Sequence, residues 1–381
     1  MTELVNDFEE GLIIGECQNF ARLLHGPGMF ITPEKFVELV KQKLSIYSKI
    51  TIIERDETWL EMNNMNSVLH VSKINVKGNS EGIASKYLND SAQLLEIHYD
   101  GSGASIPPIV FVGKASFYSL FDDGKALETS LNKLVPDVSL SAGASIIGTL
   151  LAFCRLKSTI NAKGIIPITV HSLHVSKAIL PNFLDEVTPS IQIPHPVEER
   201  MLLKDSITYA HSFCPDFIIS VATQTSYVTT AFDSSTSVFY SSQDALAELF
   251  SEICSYTCEK FIRLPFVEIE DSVFHKCVIQ KQCCSTCINL FLRPVPLRER
   301  DELVNYIKKK WDFCYITPLF LKEFVGDTKW LHFELNRSLL MMEEKDDEVT
   351  ELYKMTGAPT RSFIELCRKI IKNQEQLANV S

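Results

Sequence analysis

No run of eighteen apolar residues occurs in these 381 residues, so no membrane-spanning helix is expected. Basic charge is in short supply: 37 Lys and Arg face 48 Asp and Glu, for a formal net charge of −11. An acidic chain is repelled by polyanions, which excludes a nucleic-acid or anionic-membrane surface as its main partner. The opening segment, MTELVNDFEEGL, lacks the basic-then-apolar order of a secretory signal, so a cytoplasmic location is expected. Internal repeats and low-complexity tracts are missing as well. The 11 cysteines are scattered and odd in number, unlike a disulfide framework, and are expected as reduced thiols. One patch, His275, Cys277, Cys283, Cys284 and Cys287, has metal-like spacing, with Cys284 and Cys287 as a CxxC pair. A second such pair is missing and Cys287 runs straight into an apolar segment, which favours buried free thiols over zinc.

What is present, 45% hydrophobic and 22% charged residues, suffices for a sizeable core. Strand-like and helix-like patterns alternate, which favours an α/β domain around a largely parallel sheet. Thr32 and Pro33 suit the cap and first position of a helix whose apolar positions Phe36, Val37, Val40 and Leu44 share a face, with Leu39 widening it. Residues 50–53, 107–113, 164–170 and 216–222 read as strands, and a short strand is predicted at 330–335. Residues 142–153 are small and apolar all round, as in a buried helix. Further helices are predicted at 200–211 and near 243–258, 300–311 and 360–373. The acidic run 343–348 reads as a solvated loop.

Several stretches, in order, resemble the leucine aminopeptidase family of metalloexopeptidases. Asn19-Phe20-Ala21-Arg22-Leu23, Pro27 and Thr32-Pro33-Glu34-x-Phe36 resemble the family's NLAR…P…TPxxF entry. Val112-Gly113-Lys114 is similar to the strand end carrying its first metal-binding lysine, and 143–148 to its GAAAVxG helix. Residues 194–205 align with NTDAEGRLVLxD, 216–223 with IIDVATLTG, and Arg263-Leu264-Pro265 with RLP. Residues 330–334 match WxHxD and 356–361 match TGxPxR. The resemblance spans about residues 10–372 and implies a three-layer α/β/α sandwich with a mixed, mainly parallel central sheet. It also implies a division into a connecting helix and entry segment (1–30) and an aminopeptidase-like catalytic domain (31–381). The family's preceding nucleotide-binding-like domain is expected to be missing.

The resemblance further implies a site of two divalent ions, zinc or manganese, held by one lysine, three aspartates and one glutamate. An arginine and a second lysine stabilise the reacting carbonyl. Carried over residue by residue, Lys114 and Glu198 persist as ligand remnants and Arg200 as the catalytic remnant. The aspartate positions fall on Ser119, Ser139 and Pro196, and the second lysine on Ala126, beside Lys125. Asp137, two residues from Ser139, substitutes only if the loop shifts. The glycine pair near the first aspartate becomes Phe121–Asp122. The flanking loops become 171–177, 180–183 and 223–226, with side chains where glycine is usual. Serine is a poor ligand for a hard dication and a proline side chain is none. No cofactor is therefore expected, or at most one weakly held ion. Without metals, Lys114 and Glu198 are expected to pair. A rebuilt site on His171 and His174, or on His195 beside Glu198, needs a turn to bring its ligands together.

The expected function is a catalytically inactive leucine aminopeptidase-like subunit with a structural or regulatory role. The resemblance implies a homo-oligomer, typically a hexamer, or a mixed oligomer with an active relative. Two alternatives stand beside it: an active metal-dependent aminopeptidase with a remodelled site, and a module that binds peptides or amino acids.

Overall fold

The computed structural model describes residues 2–25, 32–69, 93–103, 106–122, 125–126, 140–174, 196–223, 232, 236–266, 313–335, 340–343 and 352–378. Helices α1 (Thr2–Leu24), α2 (Pro33–Leu44) and α3 (Glu57–Met62) accompany strands β1 (Ile50–Arg55) and β2 (Gln93–Asp100). Next come β3 (Ile109–Val112), β4 (Ala115–Asp122), β5 (Lys125–Ala126), α4 (Ser141–Leu156), β6 (Asn161–His174) and α5 (Pro196–Ala210). The last part holds β7 (Phe217–Ala222), β8 (Ser237–Ser241), α6 (Asp244–Thr257), β9 (Phe261–Arg263) and α7 (Phe313–Val325). It ends with β10 (Lys329–Glu334), β11 (Leu340–Glu343), β12 (Leu352–Met355) and α8 (Thr360–Ala378).

The main sheet runs β1-β2-β6-β3-β7-β10-β8-β9. Its centre, β6-β3-β7-β10, is parallel, while β1, β2 and β8 pair antiparallel to their inner neighbours. Both faces of the central strands are apolar, because strand side chains alternate and both faces are covered. Ile109, Phe111, Phe217 and Ile219 join the core beneath α1, α4, α6 and α8. Val110, Val112 and Ile218 join Leu202, Leu203 and Ile207 of α5 and Leu321 of α7 on the other face. This is the α/β/α sandwich expected from the sequence.

Local signals behave as read. Thr32 Oγ1 accepts from the Lys35 N–H at 3.2 Å, and Phe36, Val37, Val40 and Leu44 of α2 are buried. The helix predicted at 200–211 starts four residues earlier, at Pro196, a residue suited to the first helical position. Helix α7 was not anticipated. It contains Pro318, which removes an internal hydrogen bond, and packing against α5 compensates. The region near 300–311 lies outside the described residues. Glu343 ends β11, paired with Leu352, so the acidic run begins in a strand; 344–348 lie outside the described residues.

Helix α4 sits in the middle of this architecture because its glycines let backbones touch. A Cβ on Gly148 would meet the Ala21 Cβ, the Cys17 carbonyl oxygen and the Thr360 Cγ2, each at 3.1 Å, from α1 and α8. A Cβ on Gly143 would lie 3.0 Å from the Lys114 carbonyl oxygen, which accepts the Gly143 N–H at 3.0 Å. No side chain caps this helix, so that carbonyl satisfies one of its first-turn donors. Helix α1 is continuous with the same core: Gln18 Nε2 donates to the Thr356 carbonyl at 2.7 Å, and Cys17, Phe20 and Leu24 are buried. Among the described residues, no helix is long and apolar enough to cross a membrane.

Two outcomes are expected. Gly148→Val should cost about 3 kcal/mol by overpacking the three-helix junction. Gly15→Ala, where nothing lies within 4 Å, should gain about 0.5–1 kcal/mol of helix propensity. Denaturant unfolding of the two variants checks both signs. A third outcome concerns His25, fully buried at the end of α1. Burial, opposed by the nearby Ser141 backbone, lowers its pKa from 6.5 to about 4. The folded state therefore prefers the neutral ring. That preference is fully present above pH 6.5 and is lost as pH falls towards 4. Its loss is on the order of 3 kcal/mol across that window. His25→Leu should flatten this part of the stability profile, and parallel profiles for variant and wild type would contradict it.

Candidate functional site

Strands β3 and β4 form one run beside β6, since Val112 pairs with Ile165 and Ala115 with Ile168. The ladder is interrupted only at Gly113 and Lys114, where the Gly113 N–H still reaches the Ile165 carbonyl at 3.1 Å. On its other side β3 pairs with β7 only as far as Val112 and Ser220. The chain leaves β3 towards β6 through α4 and crosses to β7 through α5, on the opposite face. Such a reversal of strand order opens a crevice at the carboxyl ends of the strands, where ligands bind in open α/β sheets. Lys114 stands at this end of β3, fully buried.

The structure places the sequence-derived positions as follows. Lys114 is fully buried at the strand break and is engaged by neighbours. A Cβ on Gly113 would come within 2.6 Å of the Ile146 Cδ1, so this turn admits only glycine without rearrangement. Ser119 lies in β4, with Ser172 of β6 as its cross-strand neighbour. Phe121 and Asp122 pair with Ala126 and Lys125 in the β4–β5 hairpin, so the position of the second lysine lies on a strand. Pro196 and Glu198 lie in the first turn of α5, and Arg200 follows, half-buried and not free. Asp137, Ser139 and His195 lie outside the described residues, as do 180–183, 224–226 and the 275–287 cysteine patch.

Two dications about 3.5 Å apart repel by roughly 19 kcal/mol at an effective dielectric near 20. Of the four carboxylate positions that the sequence resemblance implies, Glu198 carries one, and Asp137 lies two residues from another. Among the described residues, no group of three or more His, Cys, Asp or Glu is placed to hold an ion. The histidine alternative also lacks its turn, because 171 and 174 lie within the uninterrupted β6.

One buried constellation was not foreseen. Ser220 Oγ lies 2.8 Å from His332 Nδ1, and His332 Nε2 lies 3.0 Å from Glu334 Oε1. Trp330 Nε1 donates to the same Ser220 oxygen at 2.8 Å. The order resembles a nucleophilic triad, but Ser220 and His332 have no exposed surface. With its oxygen engaged and no path for a substrate, this line holds β7 and β10 together. Its signal in the sequence was the alternate spacing of Trp330, His332 and Glu334, which places all three on one face of a strand. The described cysteines, Cys17, Cys154, Cys214, Cys254, Cys258 and Cys367, are free thiols. Burial pushes Cys17 up to about 11 and Cys154 and Cys254 up to about 12, so these three are not nucleophiles at neutral pH.

Comparison with known proteins agrees with this geometry. The model of the cytosol aminopeptidase family, catalytic domain, matches residues 19–364. A cytosol aminopeptidase from Xenopus tropicalis is 28% identical over 380 residues, covering 98% of this chain and 65% of that protein. One from Sus scrofa is 30% identical over 366 residues, covering 94% of this chain and 62% of that protein. The chain thus spans somewhat under two thirds of these relatives. Among solved structures, the bottromycin maturation enzyme BotP in complex with Mn superposes with a TM-score of 0.63 at 18% identity, over 95% of this chain and 71% of that one. A tomato leucine aminopeptidase mutant superposes with a TM-score of 0.61 at 16% identity, over 96% and 63% respectively. These two likenesses concern the fold. With the family model covering most of its length and the strand-end lysine in place, the chain belongs to the cytosol aminopeptidase family.

Proposed function

We propose that this chain is a non-catalytic aminopeptidase homologue that serves as a structural or regulatory subunit of an oligomer, formed with copies of itself or with an active relative. What supports this reading is the residue set that the family resemblance assigns to the metal site. Lys114, Glu198 and Arg200 persist, while Ser119, Ser139 and Pro196 stand where aspartates are needed and Ala126 where a lysine is needed. The loss is selective. Backbone contacts that position the crevice do not depend on those aspartates: Gly143 still caps onto Lys114, and Pro196 still starts α5. An ordered scaffold without a metal-binding centre suits an assembly role. Lys114 and Glu198, relieved of metals, are proposed to offset one another's charge.

Metal content after purification in manganese or zinc should be below one ion per chain, with no hydrolysis of a leucyl chromogenic substrate. Two tightly held ions, or metal-dependent turnover, would mean an active enzyme with shifted ligands, Asp137 being the first suspect. Thermal stabilisation by millimolar peptides or amino acids would instead favour a binding module, because a ligand selective for the native state raises its stability. Joint replacement Ser119→Asp, Ser139→Asp and Pro196→Asp should raise manganese affinity by at least about tenfold, each added carboxylate offsetting part of the inter-ion repulsion. Aspartate is compatible with the first turn of α5, so the helix should survive the change. Unchanged metal binding in a folded triple variant would assign the defect to the refilled loops.

A further inference from the structure

Towards the amino-terminal end of β6, away from the crevice, lies a second polar assembly. Glu96 of β2 is buried and accepts hydrogen bonds at Oε2 from Arg55 Nε at 2.9 Å and from the Tyr209 hydroxyl at 3.1 Å. Its Oε1 lies 2.5 Å from His98 Nε2. Burial by itself raises the Glu96 carboxyl, but hydrogen bonds from His98 and Arg55 outweigh it and leave the group below its ordinary value. A carboxylate at that distance requires His98 Nε2 to carry a proton, which leaves Nδ1 as an acceptor. Lys163, the direct cross-strand neighbour of His98, lies with its Nζ 3.0 Å from that Nδ1. The same Nζ sits 4.9 Å from the centre of the Phe213 ring, and Lys163 is half-buried. Burial holds its amine below the ordinary lysine value, against the opposing charges of Asp100 and Glu96.

A carboxylate, an imidazole and an amine in line form a proton relay that ends on a nucleophile. We propose that Lys163 is a covalent acylation site, at which His98, oriented by Glu96, takes the ammonium proton and the freed amine attacks the carbonyl of a small acyl thioester. The nitrogen forms the new C–N bond and the C–S bond breaks. The second amine proton leaves on the thiol sulfur, and the imidazolium returns its proton to water. No oxidant or reductant is consumed. The neutral amide formed no longer donates a charged hydrogen bond to His98 or lies as a cation over Phe213.

The intact protein is treated with the acetyl thioester of N-acetylcysteamine at about pH 8, and initial acetylation rates are read lysine by lysine by peptide mass spectrometry. Lys163 should react several-fold faster than exposed Lys157, because His98 Nδ1 lies 3.0 Å from its amine to take the proton. His98→Gln should bring Lys163 to or below the Lys157 rate. Equal or slower reaction of Lys163 in the wild type, or an unchanged rate in a folded His98→Gln variant, overturns the proposal. Should that variant fail to fold, the wild-type pH profile decides. The Lys163 rate should reach half-maximum at lower pH than that of Lys157, and coincident profiles overturn the assignment.

Discussion

The contact on which the rest of this molecule depends is the one between the first turn of α4 and the strand break at Lys114. A main-chain hydrogen bond, Gly143 N–H to the Lys114 carbonyl, ties helix to sheet where Gly143 presents no Cβ that would force them apart. Further along the helix, Gly148 admits α1 and α8 to the same distance. Interiors are close-packed, so a helix seated by backbone contact has little freedom to shift. The end of β3 beside it is therefore set by main-chain geometry.

A scaffold seated by main-chain contacts does not depend for its order on the charges at a site. Carboxylates that grip metal ions add stability only when the ions are bound; without the ions they repel one another. Serine and proline in their place remove that repulsion, and Pro196 also begins a helix. The buried charge that remains elsewhere is satisfied across elements. Asp205, retained from the family signature, accepts the Ser67 and Val68 N–H groups at 2.6 and 3.2 Å. Ser362 donates to buried Glu259 through both its backbone N–H and its hydroxyl. Burial nevertheless raises the Glu259 carboxyl above its ordinary value, despite those hydrogen bonds and the nearby Arg361. Each such pairing joins segments distant in sequence, as a buried polar group requires.

Much of the fold was legible in the linear pattern. The stripe of α2, its Thr32 cap, the uniformly apolar α4 and the strands at 109–112 and 217–222 follow from periodicity and capping chemistry, which act over a few residues. Helix α7 was not legible, because its aromatic content and Pro318 argue against a helix unless α5 is there to pack on it. The polar lines through Ser220 and Glu96 were only partly legible: alternate spacing puts Trp330, His332 and Glu334 on one face, but Ser220 lies 110 positions from Trp330, and His98 and Lys163 are separated by a crossover.

The sequence by itself determined which residue types occupy the metal positions, since a serine or proline lacks a carboxylate wherever the chain places it. Motif order alone proposes those positions as the family's metal positions. Only the tertiary structure decided that Lys114 is buried at a strand break and capped onto α4, and that 171 and 174 share one straight strand. It alone also decided that Lys163 meets His98 and Glu96. The reason is that ligand identity is a covalent property of each residue, whereas burial, register and hydrogen-bond partnership exist only once distant segments pack together.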